Sequence, residues 1–128
     1  MKCLLDTHTL LWAFADYPRL GSDAKSALLA ADNQLFFSLA SLWEICIKVS
    51  VGKLHLMEGW PELLDNEMER LGIQRLTILQ RHLLGVLDLP FHHRDPFDRL
   101  LVAQARCEAL TIITADRNIG LYDVPCVF

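Results

Sequence analysis

The sequence predicts an α/β fold in which helices cover a parallel β-sheet. Short apolar runs typical of buried strands alternate with longer stretches of helical character, which is the element order of parallel sheets. Hydrophobic residues make up 52% of the 128 residues and charged residues 22%, a balance that supports a packed core. No repeat, charge run or linker divides the chain, so residues 1–128 are expected to form one domain.

Strands and helices are expected to follow one another closely along the chain. Strands are predicted at 2–5, 34–37, 73–78, 110–114 and 124–128. Helices are predicted at 7–15, 22–31, 39–50, 61–71, 79–87 and 96–109, with Gly21, Gly52, Gly59 and Gly72 at their ends. The last helix is clearly marked, because Asp95 is a typical N-cap and Pro96 suits the first helical position. The segment 52–60 fits neither pattern and is expected to be irregular.

Charge and cysteine content exclude several classes of protein. Twelve Lys and Arg residues against 16 Asp and Glu give a net charge of −4, so any binding of nucleic acid must depend on a local site. The four scattered cysteines match neither a zinc ribbon nor a disulfide framework, and reduced, buried thiols are expected. Asp6 and His8 interrupt the first apolar run too early for a signal peptide. With no run long enough to span a membrane, a cytoplasmic location is expected.

Four acidic residues are expected to meet at one edge of the sheet. Asp6 and Asp116 follow predicted strands directly, Glu44 lies early in the helix after the second strand, and Asp98 lies in the first turn of the last long helix. In open α/β sheets, ligands bind beyond the carboxyl ends of the strands, where these residues converge. Oxygen donors without a Cys or His cluster suit Mg²⁺ or Mn²⁺ better than zinc, and such an ion supports hydrolysis of a phosphodiester by activated water.

Each acid also has an ordinary structural interpretation. Asp6 and Asp116 are typical helix caps or turn formers, and Asp98 suits the positive end of a helix dipole. Glu44 and Lys48 have the spacing of an ion pair within a helix. Among the four acids, Glu44 is the strongest argument for a common metal site, because it lies in an apolar segment where an unpaired charge is costly.

At these residues the sequence resembles the PIN-domain ribonucleases, and specifically the VapC-type toxins of bacterial toxin–antitoxin pairs. The matching segments run the length of the chain in the family's order: Leu4-Leu5-Asp6-Thr7-His8, Ser41-Leu42-Trp43-Glu44-Ile45, Asp95-Pro96-Phe97-Asp98-Arg99 before Ala103-Gln104-Ala105, and Thr114-Ala115-Asp116. The resemblance implies a three-layer α/β/α fold around a short parallel sheet. It also implies an acidic Mg²⁺ (or Mn²⁺) site, an RNA substrate, and inhibition by a small VapB-like antitoxin.

Carried over by motif, the family's catalytic and metal-binding acids are Asp6, Glu44, Asp98 and Asp116. Asp98 is assigned to the metal and Asp95 to helix capping, because Asp98 has the family's spacing to the following small-residue helix face. Thr7, Thr114 and Asp95 are candidates for orienting the acids or a water molecule, and ordinary turn or strand roles fit the two threonines equally well. A homodimer is expected from the resemblance and from aromatic residues near the candidate faces.

Other polar and aromatic residues have weaker interpretations. His92 and His93 precede the site and are expected to be solvated, with contact to RNA as the alternative. Five basic residues suit either a rim that contacts phosphate groups or a plain ion-paired surface: Lys48, Lys53, Arg94, Arg99 and Arg117. A groove for an antitoxin helix, a dimer contact or simple core packing is compatible with Trp12, Phe14, Trp43 and Trp60.

Three other functions compete with the nuclease interpretation. A haloacid-dehalogenase-type phosphotransferase needs a second Asp two positions after Asp6, where this chain has His8. A response-regulator receiver needs a Lys after a late strand, and the predicted strand ends offer none. The remaining alternative is a catalytically silent PIN-like scaffold that binds RNA or a partner, and the four intact carboxylates argue against it.

Overall fold

The computed structural model describes all 128 residues, Met1–Phe128, and contains one five-stranded sheet whose neighbouring strands are all parallel. The strands lie in the order β3-β2-β1-β4-β5. Their bounds are β1 Lys2–Leu5, β2 Gln34–Ser38, β3 Ile73–Leu76, β4 Thr111–Ile113 and β5 Cys126–Val127. The predicted parallel α/β architecture is therefore confirmed.

Six α-helices connect and cover the strands. Their bounds are α1 Thr7–Ala15, α2 Ser22–Leu29, α3 Leu39–Ser50, α4 Trp60–Leu71, α5 Gln80–Gly85 and α6 Pro96–Glu108. The helix predicted at 79–87 is shorter than expected, because its end tightens into a 3₁₀ turn over Val86–Asp88. The third and fifth strands are also shorter than their apolar runs, since they pair only as far as their neighbours extend. None of the helices combines the length and apolar character that crossing a lipid bilayer requires.

Side chains of the central strand point alternately into two cores, one on each face of the sheet. Cys3 and Leu5 belong to the larger cluster, which α1, α2 and α4 cover, whereas Leu4 belongs to the smaller cluster under α6. This alternation is the expected period of two for a strand that is buried on both faces. The result is three layers, with the sheet between helices.

The strand register places the residues that follow β1, β2 and β4 side by side. Leu5, the last residue of β1, pairs with Phe37 of β2 and with Ile113 of β4. The next residues along the chain, Asp6 and Thr114, are consequently neighbours at the carboxyl edge of the sheet. Across this edge α3 packs against both α1 and α6, so three helices surround the same place.

The cysteines only partly match expectation. All four are free thiols, as predicted, and Cys3 is buried in the core. Cys46 and Cys107 are exposed, so the prediction of uniformly buried thiols is wrong. Both exposed cysteines lie on helices, outside the buried positions of those helices, so the apolar residues around them in sequence do not determine their burial.

Replacing Gly21 by Ala is expected to destabilise the fold by about 1–3 kcal/mol, because packed regions tolerate added atoms poorly. A β-carbon at this position would lie 2.2 Å from the backbone oxygen of Phe128, which must then move. Gly120→Ala is the matched control, since a β-carbon there has no neighbour within 4 Å. Denaturant unfolding of the two variants measures the difference, and equal stability would show that the chain end moves freely.

Candidate functional site

Asp6 lies where β1 ends, and the surrounding backbone and side chains fix both of its carboxylate oxygens. It is the N-cap of α1: Oδ1 accepts a hydrogen bond from the backbone N–H of Thr9 at 2.8 Å. Oδ2 accepts a hydrogen bond from the hydroxyl of Thr114, which lies after β4 on the neighbouring strand. Asp6 is only 3% exposed, so its orientation is set by the protein rather than by solvent.

Glu44 enters the same edge from α3 and is also buried. The Thr7 hydroxyl donates to Oε1 at 2.7 Å, and the Lys48 ammonium contacts Oε2 at 2.6 Å. The ion pair expected from the spacing of Glu44 and Lys48 is therefore present. These two donors offset the cost of placing a charged carboxylate in an apolar segment.

The two acids at the start of α6 have different positions. Asp95 is the N-cap, and its Oδ1 accepts from the backbone N–H of Asp98 at 3.0 Å. The capping geometry predicted for Asp95 is therefore present. Asp98 lies one turn in, and its own carboxylate accepts no hydrogen bond.

The pKa of Asp98 is raised to about 7, first by burial and then by the negative charges of Asp95, Glu44, Asp6 and Asp116, in that order. A carboxyl group ionises poorly when it is taken out of water and surrounded by like charges. Asp6, Glu44 and Asp116 contribute to this shift because their carboxylates lie near Asp98 at the same edge of the sheet.

Asp116 completes the cluster from the loop after β4. Its backbone N–H donates to the Thr114 hydroxyl at 3.0 Å, and its Oδ1 accepts from the N–H of Asn118 at 2.8 Å. Thr114 therefore connects Asp6 and Asp116 through one hydroxyl group. Both threonines singled out in the sequence, Thr7 and Thr114, donate hydrogen bonds to carboxylates of this cluster.

His93 joins this cluster, although the sequence indicated a solvated loop histidine. Its Nε2 lies 3.4 Å from Oδ2 of Asp98, is buried, and has no hydrogen-bond partner. His93, Asp98 and Asp116 can each offer a ligand atom within 4.8 Å of the others. The expectation of solvation is wrong for His93 and correct for His92, which is exposed.

A buried arginine positions this histidine. Arg99 is 5% exposed, and its guanidinium donates to the carbonyl of Pro90 at 2.7 Å and to the hydroxyl of Tyr122 at 3.1 Å. The Tyr122 hydroxyl in turn lies 2.9 Å from Nδ1 of His93. When His93 carries its proton on Nδ1, it donates to this hydroxyl and leaves the Nε2 lone pair facing the carboxylates.

The five cations that suit either a phosphate rim or an ion-paired surface lie in different environments. Arg99 is not part of it, because its guanidinium donates to backbone carbonyls inside the protein. Lys48 is paired with Glu44. Lys53, Arg94 and Arg117 are exposed and remain available as cations.

The aromatic residues divide between core and surface. Trp12, Phe14 and Trp60 are partly buried and pack against the larger core, as the core interpretation predicts. Trp43 differs, because it is 59% exposed on α3. Its ring meets Phe97, at the start of α6, edge to face with centroids 5.3 Å apart.

The family model of the PIN domain matches residues 3–125, which is nearly the whole chain and includes all four clustered acids. The chain belongs to the PIN domain family. No curated protein sequence shows significant similarity to this PIN domain.

Solved structures share the fold of this PIN domain at low sequence identity. VapBC2 from Rickettsia felis, bound to a promoter DNA fragment, has 18% identity and a TM-score of 0.76, with 99% of this chain and 98% of that chain covered. A toxin–antitoxin complex from Klebsiella pneumoniae has 19% identity and a TM-score of 0.63, with 98% and 96% covered. FitAcB from Neisseria gonorrhoeae has 18% identity and a TM-score of 0.64, also with 98% and 96% covered. The similarity establishes a common fold.

Without metal, this PIN domain is expected to lose stability as the pH rises. The folded state binds the Asp98 proton more tightly than the unfolded chain does, since the pKa is about 7 instead of 3.8. The associated stability is fully present below pH 3.8 and is lost as the pH rises through about 7. Ionising Asp98 in the metal-free fold costs up to about 4 kcal/mol, which exceeds the 0.3–1 kcal/mol or so that its charge gains from the helix dipole.

The Asp98→Asn variant is therefore expected to be at least as stable as wild type at pH 8 in EDTA, and to gain much less from added Mg²⁺ or Mn²⁺. Thermal melts of both proteins at pH 5 and pH 8, at fixed ionic strength, measure these differences. Glu69→Gln, an exposed change on α4, controls for loss of one charge. A variant that melts well below metal-free wild type, yet shows the same metal-induced rise, would assign Asp98 a structural role.

Proposed function

We propose that this protein is a Mg²⁺- or Mn²⁺-dependent endoribonuclease that hydrolyses RNA phosphodiester bonds with activated water. The observation that supports this function best is the environment of Asp98. Its carboxylate accepts no hydrogen bond, lies near four other carboxylates and has its pKa raised to about 7. Such a group favours a cation beside it, because a bound cation offsets both the burial and the like charges.

The residues at this edge fit a hard divalent cation. Carboxylate oxygens are the preferred ligands of Mg²⁺ and Mn²⁺, and an imidazole nitrogen is also compatible with a first-row transition metal. Asp98 and Asp116 would hold the ion, with His93 Nε2 as a further donor that otherwise has no partner. Both oxygens of Asp6 and both oxygens of Glu44 already accept one hydrogen bond each, so these two acids would contact the ion through their remaining lone pairs.

The chain's own residues hold this constellation in place. Thr114 and the Thr9 backbone fix the Asp6 carboxylate, Thr7 and Lys48 fix Glu44, and the cap at Asp95 fixes the first turn that carries Asp98. Oriented ligands of this kind are what metal-assisted catalysis requires from a protein. A divalent cation held there would supply the Lewis acidity that activates water and polarises the phosphodiester.

We also propose a toxin role, in which a small VapB-like antitoxin inhibits the nuclease and the free protein forms a cytoplasmic homodimer. Structures with this fold come from a VapBC complex and a complex described as toxin–antitoxin, and this supports a protein partner. Trp43, 59% exposed beside Phe97 near the site, supplies an aromatic surface of the kind that partners cover. Nothing in the site favours the alternative of a silent scaffold, because all four acids are present.

Asp6→Asn and Asp98→Asn are each expected to abolish RNA cleavage, a loss of at least about 100-fold, because each removes a charged ligand. Asp95→Asn should retain most activity, since asparagine also caps helices well. The measurement is gel or fluorescence analysis of single-stranded RNA cleavage in Mg²⁺ or Mn²⁺. Products should carry 5′-phosphate and 3′-hydroxyl ends, because water attacks phosphorus instead of the neighbouring 2′-hydroxyl. Undiminished cleavage in excess EDTA, or 2′,3′-cyclic phosphate products, would disprove this mechanism.

Expression of the wild-type protein alone is expected to arrest bacterial growth, whereas Asp6→Asn at the same level should not. Growth curves after induction, with immunoblots to match expression, measure this. If wild type is harmless while its metal-dependent cleavage is demonstrated in vitro, the toxin role is wrong and the nuclease function stands.

A further inference from the structure

A cavity of about 540 Å³ opens next to the carboxylate cluster, between α1 and the segment that follows α3. Thr7 and Lys48, both bonded to Glu44, lie in its wall. A second, smaller opening above Asp6 and Asp116 is lined by His8 and Trp12, which also line the large cavity. The two spaces therefore adjoin, and a chain bound at the acidic edge can continue into the cavity.

The cavity concentrates cations on a protein whose net charge is −4. Arg19, Lys48 and Lys53 line it, against Asp16 as the one acid in its wall. Neither Arg19 nor Lys53 forms an ion pair, in contrast to Lys48. Two unpaired cations beside an acidic site suit the phosphate groups of a polyanion.

An anchored aromatic ring lies in the wall between the two spaces. The indole of Trp12 packs against Phe128, with ring centroids 5.7 Å apart, and is thereby held in place. The Arg19 guanidinium lies over the ring, 4.6 Å from its centroid, and the His8 ring lies 5.9 Å away. An aromatic face that already accepts a planar cation also suits a stacked nucleobase.

We propose that this cavity binds one nucleotide of a single-stranded RNA, adjacent to the phosphate at the acidic edge; the proposal rests on the nuclease function above. The base stacks on Trp12, and a flanking phosphate contacts Lys53 and Arg19. The exposed Arg19 side chain moves off the Trp12 ring to make room for the base and to reach the phosphate. The RNA must be single-stranded here, since a paired base cannot reach the ring. An acidic polypeptide would use the cations equally well, but only RNA carries a planar base beside every phosphate, so the RNA is the better fit for Trp12 next to Arg19 and Lys53.

The first test measures RNA affinity without turnover. Fluorescence anisotropy follows a labelled single-stranded RNA of mixed sequence, in EDTA, with wild type and the double variant Arg19→Ala/Lys53→Ala. Affinity is expected to fall at least about 10-fold, and the slope of log K against log salt to flatten by about 0.7 for each phosphate that the variant no longer neutralises. Lys2→Ala, which removes an exposed cation at the opposite edge of the sheet, should bind as wild type does.

The second test addresses stacking on Trp12. Trp12→Leu is expected to weaken RNA binding about 5-fold or more, whereas Trp12→Phe keeps an aromatic face and most of the affinity. RNA should quench tryptophan fluorescence in wild type and much less in Trp12→Phe, which retains Trp43 and Trp60. Thermal melts identify any variant that fails to fold. If Trp12→Leu does not fold, the fluorescence quenching of Trp12→Phe still tests stacking on this residue.

Wild-type affinity in the double variant, or undiminished quenching in Trp12→Phe, would overturn the proposal. If poly-L-glutamate binds wild type, displaces the RNA and binds the double variant more weakly while RNA affinity is unchanged there, the cavity belongs to an acidic polypeptide instead. Failure of the nuclease function gives a different result, namely no RNA cleavage by wild type in Mn²⁺. The binding comparison in EDTA still tests the cavity in that case.

Discussion

Mutual repulsion among clustered carboxylates, two of them buried and two half-buried, is the constraint that organises this edge of the molecule. Parallel strands end at one edge, so β1 and β4 bring Asp6 and Asp116 to the same place, and α3 and α6 add Glu44 and Asp98. Like charges in a low-dielectric environment oppose folding unless donors or a cation compensate them. Much of the polar structure around this edge is explained by that requirement.

Hydrogen-bond donors compensate some of these carboxylates and not others, and the difference indicates where a ligand binds. Asp6 and Glu44 each accept two hydrogen bonds from within the protein, whereas the Asp98 carboxylate accepts none. If helix stability alone had shaped the cluster, Asp98 would be expected to have a donor as its neighbours do. Buried groups left without partners are commonly found at functional sites, because a ligand completes them. The partnerless Nε2 of His93 beside Asp98 fits the same explanation.

The sequence is sufficient to predict the parallel sheet and the edge at which the four acids lie. It is insufficient to predict the residues that surround and position them. Asp6 and Asp98 are recognisable because each stands at a fixed offset from a strand end or a helix cap. His93, Arg99 and Tyr122 have no such pattern: their contacts join residues 23 and 29 positions apart through one tyrosine hydroxyl. Arginine is usually exposed, and only the three-dimensional path of the 86–90 segment supplies the carbonyls that bury Arg99. The sequence nevertheless contains one indication that Arg99 is buried, because this residue lies on the apolar side of the amphipathic helix α6.

The central claim is that a cation completes the carboxylate cluster, and proton release on metal binding tests it most directly. Calorimetric titration of the protein with Mn²⁺, in buffers of different ionisation enthalpy, counts the protons displaced per ion. Because the pKa of Asp98 is about 7 without metal, wild type should release about 0.5 proton per ion at pH 7 from this group and more at pH 6. Asp98→Asn should bind more weakly and release far less. Tight binding with no proton release, or equal release by wild type and Asp98→Asn, would contradict the account.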